Sequence, residues 1–345
     1  EDYAYFSSVS DSWVEHAKKY CGTMIDRLSL NENSFVLEVA CNDGYLLQFF
    51  KEAGIKNLGV EPTKSTANEA ENKGIDVVSE FFGLELSNKL VLEKGQADLV
   101  VCNNVLAHVP DINDFSKAVA NILKKQGVAT FEFPHLLNLV QQKQFDTIYH
   151  EHFSYLSLVA VKNVFDTAGL EIFNVEELPT HGGSLRLYAQ RKDSSSRQVA
   201  PTVANLLEKE IKSGVENLEF YQSFSETINH LRIRVVEFLN ECSKEGKSIA
   251  AYGAAAKGNT LLNYLGIRSQ SISFVVDRSP GKLGKYLPGS RIPIVDEEHL
   301  RKSKPQFLVL LPWNIKDELV DQLSYVFEWN CKLVTFIPDF QLIEG

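Results

Sequence analysis

The chain has 345 residues, 44% hydrophobic and 23% charged, with a formal net charge of −10. That length holds about two domains, each with a sizeable core, and the balance is that of an ordinary soluble enzyme. The acidic excess argues against a general binder of nucleic-acid polymers, which needs a basic face, but leaves room for a local basic pocket around one anionic ligand.

Apolar periodicity predicts a helix over 12–30, with Val14, Ala17, Cys21, Met24, Ile25 and Leu28 on one face. Strands and helices then alternate. A buried strand over 35–39 leads through the turn Asn42-Asp43-Gly44 into a helix over 45–53. A strand over 57–61, a helix over 65–73 and strands over 75–78 and 97–102 follow. A helix over 114–123 has Asp114 near its N-cap, and a fifth strand covers 127–133. This alternation implies a parallel, doubly wound sheet. The pattern then changes to a helix over 158–168 and strands over 170–176 and 184–190. The two strands are joined through Pro179 and Gly182-Gly183 and are expected as an antiparallel pair at the sheet edge. The polar stretch 192–197 is the expected domain boundary, giving domains 1–196 and 197–345. A long helical region over 202–244, broken near Gly214, precedes a second, smaller Rossmann-like α/β domain. Its strands are expected at 248–252, 272–277, 307–311 and 332–337, with a helix through Leu265 after the first.

No apolar run approaches the roughly 20 residues that span a bilayer, and Glu1-Asp2-Tyr3 opens the sequence without a basic and apolar leader. Cys21, Cys41, Cys102, Cys242 and Cys331 form no Cys-x-x-Cys pair, so no metal site and no disulfide framework is expected. A cytoplasmic location is the simple expectation.

Three stretches carry candidate chemistry. Tyr149-His150-Glu151-His152-Phe153-Ser154-Tyr155 gathers two imidazoles, a carboxylate and two phenols, the groups of general acid–base catalysis. Glu38-Val39-Ala40-Cys41-Asn42-Asp43-Gly44 joins the first strand to its helix and faces the ligand crevice at the strand's carboxyl end. Glu61 ends the second strand, where a carboxylate can accept both ribose hydroxyls of an adenosine cofactor. The loop is poor in glycine and carries Glu38 and Asp43, which suit the sulfonium and ammonium of S-adenosylmethionine better than the pyrophosphate of NAD. The third stretch, Gly253-Ala254-Ala255-Ala256-Lys257-Gly258, follows a strand and opens a helix, so its amides can hold phosphate, with Lys257 adding charge. Asp277 ends the next strand, where an NAD ribose carboxylate would also be placed.

These blocks stand in an order that resembles the C-methyltransferases of deoxysugar biosynthesis. The matching segments are Tyr3-Ala4-Tyr5-Phe6-Ser7-Ser8, the Glu38 loop, Asn104-Val105-Leu106-Ala107-His108-Val109, Tyr149-His150-Glu151-His152-Phe153, Thr180-His181-Gly182-Gly183-Ser184-Leu185-Arg186, Gly253 through Asn259, Asp277-Arg278-Ser279-Pro280, and Pro288-Gly289 to Ile294. The resemblance spans nearly the whole chain. It implies a class I methyltransferase domain binding S-adenosylmethionine and a second domain holding the nucleoside diphosphate of a keto-sugar substrate. Such proteins usually begin with a small zinc-binding module bearing two cysteine pairs; the sequence starts just after where that module would end, the module being either trimmed or never present, and no zinc is expected within these residues.

Carbon methylation beside a ketone needs a base for a C–H proton, donors for the enolate oxygen and an aligned methyl sulfonium. His152 is the expected base, with Glu151 tuning or relaying. Tyr149 is the expected enolate donor, and His108 a second acid or enolate donor. Tyr3, His108, Tyr149, Glu151 and His152 match the catalytic positions the resemblance implies, while His150 departs from it and is expected to face outward. Glu38, Ala40, Asn42, Asp43, Gly44, Glu61, Phe82, Asn103 and Asn104 are the expected cofactor contacts. Gly253, Ala254, Lys257, Asn259, Asp277 and Arg278 are the expected substrate contacts. His181 and Arg186 either line the pocket or belong to a structural hairpin. Transfer to oxygen or nitrogen is the near rival, since the same base could deprotonate a hydroxyl or an ammonium. A two-domain NAD-dependent oxidoreductase and an idle binding module are more distant ones.

Overall fold

The computed structural model describes residues 6–194 and 196–345. In chain order the first elements are α1 (Asp11–Leu28), β1 (Phe35–Val39), α2 (Leu47–Glu52), β2 (Lys56–Val60), α3 (Lys64–Asn72), β3 (Val77–Val78), α4 (Leu84–Lys94), β4 (Ala97–Asn103), α5 (Ile112–Ile122) and β5 (Leu123–Pro134). There follow α6 (Leu136–Gln141), α7 (Leu158–Ala168), β6 (Leu170–Leu178), β7 (Ser184–Arg191), α8 (Pro201–Lys212) and α9 (Leu218–Lys244). The chain ends with β8 (Ile249–Tyr252), α10 (Ala256–Leu265), β9 (Val275–Val276), β10 (Ile294–Val295), α11 (Glu297–Ser303), β11 (Phe307–Leu310), α12 (Lys316–Gln322), β12 (Lys332–Thr335) and β13 (Gln341–Ile343).

The chain divides into two compact units. One holds residues up to His135, Phe153–Leu178 and Ser184–Lys212; the other holds Leu136–His152, Pro179–Gly183 and Ser213–Gly345. This differs from the single boundary expected at 196/197. α8 stays with the first unit because Val203 and Leu206 are buried in its core, and two short segments of the expected first domain belong to the second unit.

The first unit is built on a seven-stranded sheet of order β3-β2-β1-β4-β5-β7-β6. β7 runs antiparallel to both β5 and β6, and the other neighbours are parallel. β1 is buried on both faces. Phe35, Leu37 and Val39 join one core with Leu86, Phe115 and Phe165 from α4, α5 and α7. Val36 joins the other with Ala17, Met24 and Phe50 from α1 and α2. Continuous apolar strands are what a sheet covered on both faces requires. Strand order reverses between β1 and β4, which places the ligand crevice at their carboxyl ends.

The second unit carries a six-stranded sheet of order β10-β9-β8-β11-β12-β13, parallel except for β13. Ile249 and Ala251 of β8 pack with α9 and α10 residues, and Ala250 and Tyr252 with Leu300 and Leu319 of α11 and α12. Its own order reverses at β8. No helix among the described residues is long and apolar enough to cross a membrane.

Several local expectations shift. α4 was not anticipated from the sequence. Its N-cap, Gly83, offers no side chain, and the Leu84 N–H instead donates to Asp114 Oδ2 at 3.1 Å. Asp114 is therefore not the cap of its own helix. Asp111 is, accepting from the Asn113 and Asp114 N–H groups at 3.0 and 2.9 Å. The strands expected at 75–78 and 272–277 shrink to two residues each, and the region 202–244 separates into α8 and α9.

Candidate active site

After β1 the chain turns through Ala40, Asn42 and Gly44, at φ 58°, 52° and 74°. Left-handed backbone outside glycine is uncommon and concentrates at functional turns. A Cβ on Gly44 would press on Ile75 at 3.1 Å and Ala70 at 3.3 Å, so this packing needs glycine. The turn's amides are engaged. Ala40 and Cys41 donate to Val60 O at 2.8 and 3.2 Å, Asn42 to Glu61 Oε2 at 3.0 Å, Asp43 to Asn42 Oδ1 at 2.9 Å and Gly44 to Cys41 O at 3.0 Å. These bonds use the donors that a pyrophosphate would need.

What this end of the sheet leaves over is acceptors. Glu38 Oε2, Asp43 Oδ1 and Asn103 Oδ1 are buried without a hydrogen-bond partner among the described residues. Burial, then the Asp43 and Glu61 carboxylates, hold the Glu38 carboxyl well above its usual range. Buried oxygens left unpaired are costly and suit a ligand bringing positive charge and N–H donors, as the ammonium and sulfonium of S-adenosylmethionine do. The other oxygen of Asp43 meets the Ser8 N–H at 3.2 Å and the Ser8 hydroxyl, with the Lys73 ammonium at 3.4 Å. The Ser7 N–H donates to Asn42 Oδ1 at 2.9 Å. The segment before α1 thus straps the β1–α2 turn, a contact with no sequence motif of its own.

Glu61 accepts the Thr63 N–H through Oε1 at 2.9 Å besides the Asn42 N–H. Each carboxylate oxygen keeps a second lone pair for a ribose hydroxyl. Phe82 packs edge-on against Phe115 at 5.6 Å, on the rim of the first core. Asn104, at φ 52°, donates its N–H to Glu132 O at 2.7 Å. His108 is half-buried at the end of a 3-10 turn, Leu106–His108, directly after β4. Tyr3 lies outside the described residues.

Arg186 departs from a pocket-lining role. It is buried on β7, donates to Glu132 Oε2 at 2.6 Å and stacks over the Tyr20 ring at 4.7 Å. His16 Nε2 stands 3.0 Å from the same carboxylate oxygen and 2.9 Å from Arg186 Nη2. Burial alone would raise the Glu132 pKa, but His16 and Arg186 outweigh it and hold it at about 2. The charged Glu132 inside the run Phe131-Glu132-Phe133 was the available sequence signal for this network.

The aromatic and imidazole cluster belongs to the second unit. Tyr149 lies against the His152 ring at 4.3 Å between centroids, while His150 and Glu151 are exposed. His152 Nδ1 meets Thr147 O at 2.6 Å. A carbonyl accepts only, so Nδ1 carries the proton and Nε2 is the basic nitrogen. Burial lowers the His152 pKa, and the Lys257 charge adds to this, against the Thr147 bond and Glu151.

Lys257, the expected diphosphate contact, lies in the second unit. Its ammonium sits over the Trp313 ring at 5.0 Å and donates to His181 O at 3.5 Å. Burial lowers its pKa, opposed by Asp146. Asp146 in turn accepts from Trp313 Nε1 at 2.7 Å. Neither Asp146 nor Trp313 was singled out in the sequence. His181 has φ 55° and contributes its carbonyl to this cluster.

The β8–α10 loop closes on itself differently from the first. Gly253 has φ 94°, and a Cβ there would run into the Pro312 ring. Asp277 accepts the Ala254 N–H through Oδ2 and the Ser279 N–H through Oδ1, both at 2.8 Å, and pairs with Lys282 at 3.3 Å. Arg278 is bound to Glu297 at 2.8 Å, and Asn259 Oδ1 accepts from Asn263 at 3.2 Å. Asp277 and Arg278 are thus committed within the unit. Among the described residues no side chain caps α10 at Ala255, and Ala255 and Ala256 are exposed.

Residues 13–175 match the model of a methyltransferase domain, and residues 179–338 match that of a C-methyltransferase C-terminal domain. The chain is 33% identical over 343 residues to C-methyltransferase NovU of Streptomyces niveus, covering 99% of this chain and 81% of that protein. It is 30% identical over 98 residues to a ubiquinone biosynthesis O-methyltransferase of Bordetella avium, covering 28% of this chain and 41% of that one. Among solved structures, an S-adenosylmethionine-dependent methyltransferase from Clostridium acetobutylicum matches with a TM-score of 0.42 and 14% identity, over 52% of this chain and 92% of that one.

Proposed function

This chain belongs to the S-adenosylmethionine-dependent C-methyltransferases, and from that premise we propose that its acceptor is a ring carbon beside the ketone of a nucleotide-linked keto-deoxysugar, methylated through an enolate. When bound, S-adenosylmethionine supplies an electrophilic methyl group. Glu38, Asp43 and Asn103 present the acceptors for its charged amino-acid end, and Glu61 the acceptors for its ribose.

The observation that carries the enolate reading is His152. Its Nδ1 proton is fixed on Thr147 O, and burial disfavours the charged form, so the ring stands as a neutral base with Nε2 as acceptor. Tyr149, tilted at 34° against that ring, carries the phenol that would donate to the developing enolate oxygen. His108 is the second candidate acid or enolate donor, and Glu151 the tuning charge. For the nucleoside diphosphate, the support is the exposed, uncapped start of α10, whose first-turn N–H groups and dipole favour anions. The oxidoreductase alternative loses its ground in the first unit, where the turn amides are engaged.

The test is methyl transfer to a panel of nucleotide-linked keto-sugars, with NMR assignment of the new methyl. Without methyl donor, the wild-type protein should exchange the substrate's α-proton for deuterium. His152→Ala should abolish that exchange and lose about 10²–10⁴-fold in rate, with both ligands still binding. Exchange persisting in His152→Ala but vanishing in Tyr149→Phe or His108→Ala would move the base to one of those residues. Turnover of keto compounds lacking the nucleotide as readily as of nucleotide-linked ones would refute the substrate class.

A further inference from the structure

Ahead of α1 the chain makes a short 3-10 turn, Ser7–Val9, with little apolar burial to hold it. Of residues 6–10 only Ser7 is buried, and the apolar Val9 is 82% exposed. Its hold is polar instead, and falls on two side chains of the β1–α2 turn. The Ser7 N–H donates to Asn42 Oδ1 at 2.9 Å and the Ser8 N–H to Asp43 Oδ2 at 3.2 Å, with the Ser8 hydroxyl on the same oxygen. The Lys73 ammonium joins the two segments, donating to Asp43 O at 2.7 Å and to Ser8 Oγ at 3.3 Å. Further on, Trp13 donates its N–H to Ser10 Oγ at 3.4 Å, and its ring lies 6.0 Å from that of Tyr45, the residue after Gly44. A segment held by a few hydrogen bonds and little apolar contact opens at low free-energy cost, so a modest bias changes how long it stays closed.

Asp43 is where such a bias can enter. Its side chain is fully buried and its two oxygens are divided. Oδ2 carries the Ser8 bonds and faces Lys73 at 3.4 Å, while Oδ1 has no partner among the described residues. A carboxylate fixed through one oxygen presents the other in one orientation, so a donor arriving at Oδ1 no longer bears the cost of ordering it. The converse holds as well, since a donor on Oδ1 fixes Oδ2 for Ser8. Linkage makes the two effects equal in size. The Lys73 charge works against a cationic ligand, so the favourable coupling falls to Ser8, a neutral donor.

We propose that Ser8 is a positioning residue for the cofactor, and that Ser7–Val9 is a strap whose closing on the β1–α2 turn and the binding of S-adenosylmethionine favour each other through the two oxygens of Asp43. This rests on the reading of Asp43 as an acceptor for the charged amino-acid end of that ligand.

The experiment joins amide hydrogen exchange at Ser8 in the wild-type protein, with and without S-adenosylmethionine, to calorimetry of S-adenosylmethionine binding in variants. The ligand should slow exchange at Ser8 about five- to tenfold. Ser8→Ala should weaken binding by a similar factor, and Ser8→Thr, which keeps the hydroxyl, should restore most of the loss. In an Asp43→Ala background Ser8→Ala should cost nothing further, because the group through which it acts is gone. Exchange at Ser8 that ignores the ligand overturns the inference, and that measurement needs no variant. So does full affinity in Ser8→Ala, or a loss there that adds undiminished to that of Asp43→Ala. Full affinity in Asp43→Ala would instead refute Asp43 as a cofactor contact, and the strap's link to the cofactor with it.

Discussion

Replacing Glu38 with glutamine should have opposite effects on the free and the cofactor-bound protein. Glu38 is 1% exposed, its Oε2 has no partner among the described residues, and Asp43 and Glu61 crowd it with like charge. Burial and those carboxylates raise its pKa when the protein is folded. An acid with a raised folded pKa binds more protons folded than unfolded, so stability falls as pH rises from the ordinary carboxylate value toward the raised one. Glutamine cannot ionise, so the Glu38→Gln protein without ligand should gain stability above that range and lose part of the decline with pH. The cofactor brings the countercharge that the folded protein lacks. A charge-assisted hydrogen bond is worth about 1.5–3 kcal/mol, so the variant should bind S-adenosylmethionine roughly ten- to a hundredfold more weakly. In the wild type, binding a cation beside a protonated carboxyl expels the proton, so affinity should rise with pH while Glu38 holds it. The observed enthalpy should then vary with the ionisation enthalpy of the buffer, by up to about one proton. Calorimetry in two buffers and urea denaturation across pH measure both effects. Wild-type affinity at full strength in Glu38→Gln, or a variant destabilised at alkaline pH, would refute the charge assignment.

Glu132→Gln should cost about 3–5 kcal/mol, because it leaves the buried Arg186 guanidinium with the more distant Glu176 carboxylate, at 3.8 Å, in place of its close one. With the Glu132 pKa at about 2 in the folded state against an ordinary 4.5, that carboxylate's stabilisation is fully present above 4.5 and lost as pH falls from there to about 2; acid denaturation of the variant should show a flattened limb in that window. Gly253→Ala should lose at least about 1–3 kcal/mol in urea midpoint through its φ of 94° and the Pro312 ring, more than alanine at an open glycine such as Gly281. Asp114→Ala should cost about 0.5–2 kcal/mol and raise amide exchange at the start of α4, with α5 protected because Asp111 still caps it.

The sheet of the first unit was legible where local pattern and burial agree. β1 covers 35–39 and α7 covers 158–168 as expected, since one is a continuous apolar run and the other is opened by Ser157 and stopped by Gly169. The β1–α2 turn was legible because Asn42-Asp43-Gly44 is turn chemistry, and Glu38 and Asp43 stand out beside it as carboxylates at a strand end. α4 was not, because its cap is supplied by Asp114, 30 residues onward. The Asp146–Trp313 bond joins residues 167 apart, and the His16–Glu132 contact residues 116 apart. Periodicity carries no information about such pairs, which exist only once the chain has closed. The same limit explains Lys257: its place in a phosphate-like loop was visible, whereas the indole that draws its side chain inward lies on another element.

The two units share one plan at their crevices, strand, tight turn and helix, yet the hydrogen-bond accounts of the turns close in opposite ways. After β1 the backbone donors are used, by Val60, Glu61, Asn42 and Cys41, and side-chain oxygens of Glu38, Asp43 and Asn103 remain. After β8 it is the acid that is used, since both oxygens of Asp277 accept backbone N–H groups, and the uncapped start of α10 remains. Buried and half-buried polar groups must find partners, so what a turn leaves unpaired states what its ligand must bring. The first turn asks for a cation with donors and the second for an anion with acceptors. A methyl sulfonium cofactor and a diphosphate-linked acceptor are ligands of those two kinds, and the overall charge of −10 conceals this division because it averages over both.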